Sequence, residues 1–548
     1  MQKSFIELIE NSIKDYWDLP ALTDYKGATH RYKDVARQIE KLHILFEQGG
    51  IKKGDKIALC SRNSSNWGIT FLAILTYGAT AVPILHEFKA DNIHHIINHS
   101  GSKLLFAGDS VWNTIDHKHM PALEGIIRME DYTIRHARTE TITAAQKQAN
   151  RQCEKQHAGH IRYRREDPDE IALINYTSGT SSASKGVLLP YLSLWSNLRF
   201  ALDQLGYNPG EKLVSILTMA HMYGLAFEFI YPFTSGNQIF FLSKIPSPRI
   251  IAEVFSTVRP HLIVAVPLVI EKIIRNQVLP KLKRPHIRLF LKIPLINKPL
   301  QARIRQKVLD AFGGRFKLLA VGGAALNHEV ESFLFSIRFP FTVGYGMTEC
   351  GPGISFDHWQ TFRPGSCGKA VARMEIKIDS PNARQIAGEI IVKGENVMKG
   401  YYKNPEATAE AIDPEGWLHT GDLGILDEAG YLYIKGRSKN TILGSSGQNI
   451  YPEEIEDKLN VMPYVSESLV ISENGKLIAL IHPEAEAVKR SRLSPEEVYK
   501  QLEHSRKMLN RELPAYSQIS RIRIRQEEFE KTPKKSIKRY LYQPQPSL

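Results

Sequence analysis

Short apolar runs that alternate with helical patterns constrain this chain more than any other feature. "GDKIALCS", "GSKLLFAG", "KLVSIL", "QIFFL", "HLIVAVP" and "FKLLAVGG" are bounded by turn residues and are too continuously apolar to have one wet face. They read as strands buried on both sides. Between them, "YKDVARQIEKLHILFEQGG" places apolar residues at helical spacing and stops at Gly49-Gly50, and "NWGITFLAILTYGATAVPI" reads as a helix running into a further strand. The alternation predicts an α/β protein with largely parallel sheets.

The texture changes further on. Residues 135–170 are polar and charged and read as loop-rich. After Ala370, "MEIKID", "GEIIVKG" and "GYLYIKG" alternate apolar and polar residues between turns, which predicts a smaller, mostly antiparallel β region. From Gly436 onward a compact α+β tail is expected. A chain of 548 residues is too long for one core, so two or more domains are expected.

Lys and Arg number 71 against 58 Asp and Glu, a formal charge of +13. That excess suits polyanions such as nucleotides, coenzyme A, acidic lipid surfaces or nucleic acid, or simply a basic solvated surface. No nucleic-acid-binding motif accompanies it, and no nucleic-acid partner is expected. Residues 281–307 carry nine Lys/Arg and no Asp or Glu, interleaved with Leu, Ile and Phe. They form either a peripheral membrane-contact patch or a basic helical hairpin on the domain, and their prolines oppose one long amphipathic helix. Cys60, Cys153, Cys350 and Cys367 lack C-x-x-C spacing, so disulfides and cysteine-bound zinc are not expected, and a reducing cytoplasm fits. The N-terminus lacks the apolar core of a signal peptide, and no window approaches about 18 uninterrupted apolar residues. His95 and His99 in "HHIINH" stand one helical turn apart, but no third ligand accompanies them.

The chemistry gathers in a few stretches. "YTSGTSSASKGV" sets Thr177, Ser178, Gly179, Thr180 and Ser181 ahead of Lys185. Read as a turn between a strand and a helix, it offers backbone N–H groups, hydroxyls and one ammonium to phosphate oxygens, although its spacing is not the P-loop's. A mobile surface connection is the plainer alternative. "GYGMTEC", "GWLHTGDLG", "YIKGRSKN" and "GQNIYPEEIE" follow in order. With this ordered set the chain resembles, nearly end to end, the adenylate-forming superfamily of acyl-CoA synthetases, luciferases and peptide-synthetase adenylation domains. "GRSKNTILGSSGQNIYPEEIE" and "PYVSESLVISENGKLIALI" look most like bacterial long-chain acyl-CoA synthetases.

The resemblance implies a large N-terminal domain, residues 1–436, of two α/β parallel-sheet subdomains and a small β-barrel-like subdomain at about 340–436. A small mobile α+β domain, 437–548, would follow a hinge at Lys439. It implies ATP, Mg²⁺ and coenzyme A: a fatty acid's carboxylate attacks the α-phosphate, and a thiol then displaces AMP. Thr177–Gly186 would be the phosphate loop, Glu349 the Mg²⁺-associated acid and Thr348 a phosphate contact. Tyr345 would lie against adenine, Asp422 and Arg437 would hold the ribose, and Gly323 in "GGAAL" would flank the nucleotide. His221 and Gly224 in "MAHMYG" would line the acyl side, and Gly447 would border the pantetheine tunnel. No acid lies in "LTMAHMYGLAF" to pair with a substrate ammonium, which argues for an acid without an amino group. Apart from the set, each residue has a plain alternative: a solvated acid for Glu349, a core aromatic for Tyr345, a turn residue for Asp422, an ion-pair partner for Arg437, a buried histidine for His221.

Two departures stand out. The family loop commonly reads T-S-G-T-T-G-x-P-K-G, whereas Ser182 and Ser184 replace its second glycine and its proline here. Its C-terminal T-x-x-G-K lysine, which serves adenylation, aligns with Ser536 in "KTPKKSIKRY". Lys535 or Lys538 could serve instead, since a lysine reaches about 6 Å from its Cα. Three outcomes follow: a fatty acyl-CoA synthetase, an acyl-carrier-protein ligase using the same first step, or a nucleotide- or acyl-binding protein with impaired catalysis.

Overall fold

The computed structural model describes residues 4–151, 158–177, 184–242, 248–274, 294–443, 448–531 and 537–543. Two large sheets dominate. The first runs Phe341–Val343, Leu318–Val321, Leu262–Ala265, Lys212–Ser215, Gln238–Phe241, Pro20–Asp24 and Thr29–Arg31. All of its pairings are parallel except the last. The second runs Gly400–Tyr401, Lys185–Pro190, Ile171–Thr177, Thr80–Pro83, Lys56–Cys60, Ser102–Ala107, Gly125–Arg128 and Ile134–Ala137. Its centre is parallel and its edges are antiparallel. The continuously apolar strands are buried because helices cover these sheets.

The helix Tyr32–Gln48 buries Val35, Ala36, Ile39, Leu42, Leu45 and Phe46, the stripe its spacing predicts. The helix Ser65–Tyr77 is buried almost all round; Ser64 caps its start and Gly78, at φ 96°, ends it in the left-handed region. It lies between the sheets, with Gly68 against the Phe229 ring.

Two expectations need correction. Residues 135–170 are not simply loop: they include the strand Ile134–Ala137 and the helix Glu140–Arg151. Ile142, Ala145 and Ala149 give that helix one buried face, and three apolar positions suffice to seat it beside Tyr32–Gln48. In the basic stretch, the part from 294 onward is one helix, Pro294–Ala311, despite Pro299 inside it. Residues 281–293 lie outside the described residues.

Two small antiparallel sheets follow, one of Tyr345–Gly346, Gly353–Phe356 and Lys369–Ala370, the other of Met374–Asp379, Gly388–Gly394, Leu418–Leu426 and Leu432–Arg437. The tail is α+β, as read. Val465–Glu473, Lys476–Pro483 and Ile519–Ile524 form a sheet that closes over helices Pro452–Leu459 and Pro495–Asn510 in a core of its own. Among the described residues no helix is long and apolar enough to cross a membrane.

Glu331, on the helix His328–Ser336, is buried and accepts the Gly365 N–H at 2.9 Å. Burial pushes its pKa from 4.5 up to about 7. The folded state therefore favours the neutral acid. Its contribution is fully present below the unfolded pKa and is lost as pH rises through about 7. Glu331→Gln removes the titration. Urea denaturation is expected to show the variant gaining up to about 3 kcal/mol on the wild type between about pH 5 and pH 8. A difference that does not change with pH would contradict this.

Candidate active site

The sequence brings Asp422 and Arg437 together through strand register. Along Leu418–Leu426 the buried positions alternate, and Asp422 falls on the inward face with Leu418 and Thr420. Arg437 is its direct cross-strand partner on Leu432–Arg437. Arg437 Nε lies 2.9 Å from Asp422 Oδ1, and the Tyr345 hydroxyl donates to Oδ2 at 2.6 Å. Asp422 is 6% exposed, whereas the Arg437 side chain is 61% exposed. Burial raises the Asp422 pKa, while Arg437 and the Tyr345 hydrogen bond pull it back. Burial, and then the Asp422 charge, hold the Tyr345 phenol well above its usual range, so it remains a donor. The acid thus accepts two donors at once from the junction of the two small sheets.

A second cluster surrounds Glu349. Thr348–Cys350 is a single helical turn after extended Met347, ended by Gly351 at φ 60°. A Cβ at Gly351 would lie 2.3 Å from Ser193 Oγ, so only glycine fits. Glu349 is 9% exposed; its backbone carbonyl accepts Met398 N–H at 2.8 Å, and its Oε1 accepts the Tyr401 hydroxyl at 3.0 Å. No hydrogen bond from a described residue reaches its other oxygen, and a carboxylate oxygen suits a hard cation such as Mg²⁺. Among the described residues no three His, Cys, Asp or Glu side chains gather as a metal site.

Lys185 completes this cluster. Its ammonium lies over the Tyr401 ring, 4.8 Å from the centroid. Here the sequence reading needs another correction: "TSGTSSASK" joins two antiparallel strands, not a strand and a helix. Ile171–Thr177 pairs with Lys185–Pro190, with Thr177 opposite Lys185, and the helix Tyr191–Gln204 begins only after Pro190. The apolar "VLLP" is long enough to be a strand in its own right. The Thr177 hydroxyl donates to the Lys185 carbonyl at 3.4 Å. Ser178, Gly179, Thr180, Ser181 and Ser182 lie outside the described residues, as do Gly447, Lys535 and Ser536.

Of the residues expected to line the acyl side, His221 precedes the short turn Met222–Gly224 and is half-buried. A Cβ on Gly224 would lie 2.8 Å from the Thr218 carbonyl, so the turn closes only around glycine. The Tyr223 ring covers Gly322, its hydroxyl donating to Ala320 O at 3.2 Å, and Gly323 takes φ 83°. Beyond the stretch "LTMAHMYGLAF" stands Glu228, fully buried. It accepts from Ser215 Oγ at 3.1 Å and Leu217 N at 2.8 Å, and burial pushes its pKa far up. Lys439 is exposed on the turn Ser438–Asn440. Lys538 reaches Glu530 at 3.3 Å within the C-terminal unit. The rings of His95 and His99 stack at 5.7 Å, and His99 Nδ1 lies 2.8 Å from the Tyr176 hydroxyl.

Sequence reasoning missed the residues that fasten these groups. Asn197 on the helix Tyr191–Gln204 donates to Cys350 O at 3.1 Å and accepts Gly353 N–H at 2.8 Å. Asn396 donates to Gly353 O at 2.7 Å, and Ser193 donates to Asn396 O at 2.7 Å. All three side chains are buried. An asparagine within a helical pattern is a faint signal, and "GYYKNPEAT" marks Tyr401 only as a residue before a capped helix at Asn404-Pro405.

A family model described as AMP-binding enzyme matches residues 9–402, and one described as AMP-binding enzyme C-terminal domain matches 439–543. The chain is 27% identical over 494 residues to the long-chain-fatty-acid–CoA ligase of Escherichia coli O6:H1, covering 85% of this chain and 82% of that one. It is 28% identical over 493 residues to the long-chain-fatty-acid–CoA ligase FadD15 of Mycobacterium bovis, covering 83% and 77%. Among solved structures, ATP-bound MatB from Rhodopseudomonas palustris shares the fold, with a TM-score of 0.77 at 22% identity over 99% of this chain and 98% of that one.

The Asn197 amide bridges two backbone groups of the Glu349 loop in a buried setting. Asn197→Ala leaves both unpaired, at a cost of about 2–4 kcal/mol. Chemical denaturation is expected to show that loss; unchanged stability would show that water or a shifted side chain replaces the amide.

Proposed function

The chain belongs to the AMP-binding enzyme family, and on that premise we propose that it activates a medium- or long-chain fatty acid with ATP and passes the acyl group to coenzyme A. A carboxylate oxygen attacks the α-phosphorus, the bond to the β-phosphate oxygen breaks, and pyrophosphate leaves. The thiol sulfur then attacks the acyl carbonyl, AMP departs with the former carboxylate oxygen, and the thiol proton goes to solvent. The first step brings two anions together, so cations and oriented donors must meet the phosphates.

The observation that carries this reading is buried Asp422 accepting from Tyr345 and Arg437. A ribose presents two neighbouring hydroxyls, the same kind of paired donor, to that carboxylate, and Tyr345 lies beside it for adenine. Thr348 and the phosphate loop Thr177–Gly186, with Lys185, would serve the phosphates. Glu349 would hold Mg²⁺, which when bound offsets phosphate charge. Lys439 would be the hinge between 1–436 and 437–548, allowing the smaller domain to serve both half-reactions. Glu228 is fully buried and turned toward Ser215 and Leu217, and no acid lies in "LTMAHMYGLAF", which supports an acid without an amino group. Apolar surroundings suit an acyl chain at about 0.8 kcal/mol per buried CH₂. The relatives named as long-chain-fatty-acid–CoA ligases support the same acid class. A cytoplasmic setting belongs to this reading, with peripheral membrane contact through 281–307.

The +13 charge favours a second acceptor, an acidic acyl carrier protein, and comparing its thiol with coenzyme A under identical conditions separates the two. A panel of saturated acids is expected to yield acid-dependent ATP–pyrophosphate exchange and thioester formation, and neither product across the panel would end the proposal. Asp422→Ala and Glu349→Ala are each expected to lower exchange at least about tenfold. Wild-type rates in both would refute the site. Because Ser536 replaces the family lysine, Lys535→Ala or Lys538→Ala should reduce exchange if a neighbour substitutes. ATP binding with no adenylate, and indifference to both substitutions, would favour a binding protein instead.

A further inference from the structure

Lys185 and Glu349 carry opposite charges, yet among the described residues neither forms an ion pair. Tyr401 stands between them. Its hydroxyl donates to Glu349 Oε1 at 3.0 Å, and its ring face carries the Lys185 ammonium 4.8 Å from the centroid. Its backbone is fixed from two sides. Tyr401 pairs with Val187 on the strand that Lys185 begins, and its N–H donates to Thr408 Oγ1 at 2.9 Å. Neighbouring bonds make the same junction rigid: Lys399 N to Leu188 O at 2.9 Å, Tyr402 N to Gly186 O at 2.7 Å, and Met398 N to Glu349 O at 2.8 Å. Five consecutive residues, Met398–Tyr402, therefore hold two functional side chains that are distant in sequence.

We propose that Tyr401 is the positioning residue that keeps Lys185 and Glu349 apart and each aimed at its own part of a metal–nucleotide complex. The phenol occupies one Glu349 oxygen and fixes the carboxylate's rotation, which leaves the other oxygen for a divalent cation. The ring face gives the ammonium a favourable seat that is not the carboxylate. Without the ring, Lys185 is free to fall onto Glu349 and neutralise it, and a neutralised pair binds neither cation nor phosphate well. Partners of a metal-ligating carboxylate commonly set metal affinity by about ten- to a hundredfold. The inference rests on the reading of Glu349 as the cation's protein ligand.

The test is ATP binding to the full chain by titration calorimetry across a Mg²⁺ series, which needs no turnover. Tyr401→Phe keeps the ring and removes the hydroxyl; circular dichroism confirms that it folds. It is expected to raise the half-saturating Mg²⁺ concentration about tenfold while leaving Mg²⁺-free ATP binding unchanged. Tyr401→Leu is expected to weaken ATP binding with and without Mg²⁺, because Lys185 is lost as well. In a Glu349→Gln background, Tyr401→Phe should add nothing, since its effect passes through that carboxylate. Wild-type Mg²⁺ dependence in Tyr401→Phe, or an equal added loss in the Glu349→Gln background, overturns the role of Tyr401 while leaving Glu349 as a ligand. If Glu349→Gln alone leaves the Mg²⁺ dependence unchanged, both the ligand assignment and the inference built on it fall.

Discussion

Backbone hydrogen bonds between 398–402 and its two neighbours are the constraint on which the rest of the site depends. Lys399 and Tyr402 donate to Leu188 and Gly186 and add a short strand to the edge of the eight-stranded sheet. Met398 donates to Glu349 O, so the same segment clamps the turn carrying the acid. From the other side, Asn197 and Asn396 close the turn from within the protein. An acid and an ammonium are thereby held close to one tyrosine without meeting. That arrangement suits a reaction in which two anions must approach each other.

The Tyr345–Asp422–Arg437 group is built differently. It uses antiparallel register, which places residues 422 and 437 side by side without any loop to order. Asp422 is buried and Arg437 is mostly exposed, so the acid is fixed while the arginine keeps access to water. One arrangement fixes a carboxylate between two donors, the other holds an acid and an ammonium on one tyrosine, and the first small sheet connects them through Tyr345 and the turn that follows it.

Much of this was legible in the sequence because it follows from periodicity. Buried strands such as Lys56–Cys60 and Leu318–Val321 show as apolar runs, and Tyr32–Gln48 shows its stripe. Asp422, Arg437, Tyr345 and Glu349 sit in ordered motifs, and the structure brings the first three together and places Glu349 beside Lys185 through Tyr401. What the sequence did not reveal is long-range pairing. Nothing local links Tyr401 to Val187 or Asn197 to Gly353, because each pair forms only when distant elements pack. The strand after the Ser/Thr-rich loop was misread for a related reason: "VLLP" is short and apolar, and only its partner Ile171–Thr177 decides its form. Glu228 escaped notice because a buried acid and a solvated one look alike in sequence.

The central claim is that a carboxylate of the substrate becomes bonded to the α-phosphorus before the thiol acts. Oxygen-isotope transfer tests it most directly. With an accepted acid labelled with ¹⁸O in both carboxylate oxygens, and with Mg·ATP and coenzyme A, mass spectrometry should find one ¹⁸O in each AMP released. Unlabelled AMP, or release of ADP and phosphate in its place, would contradict the account.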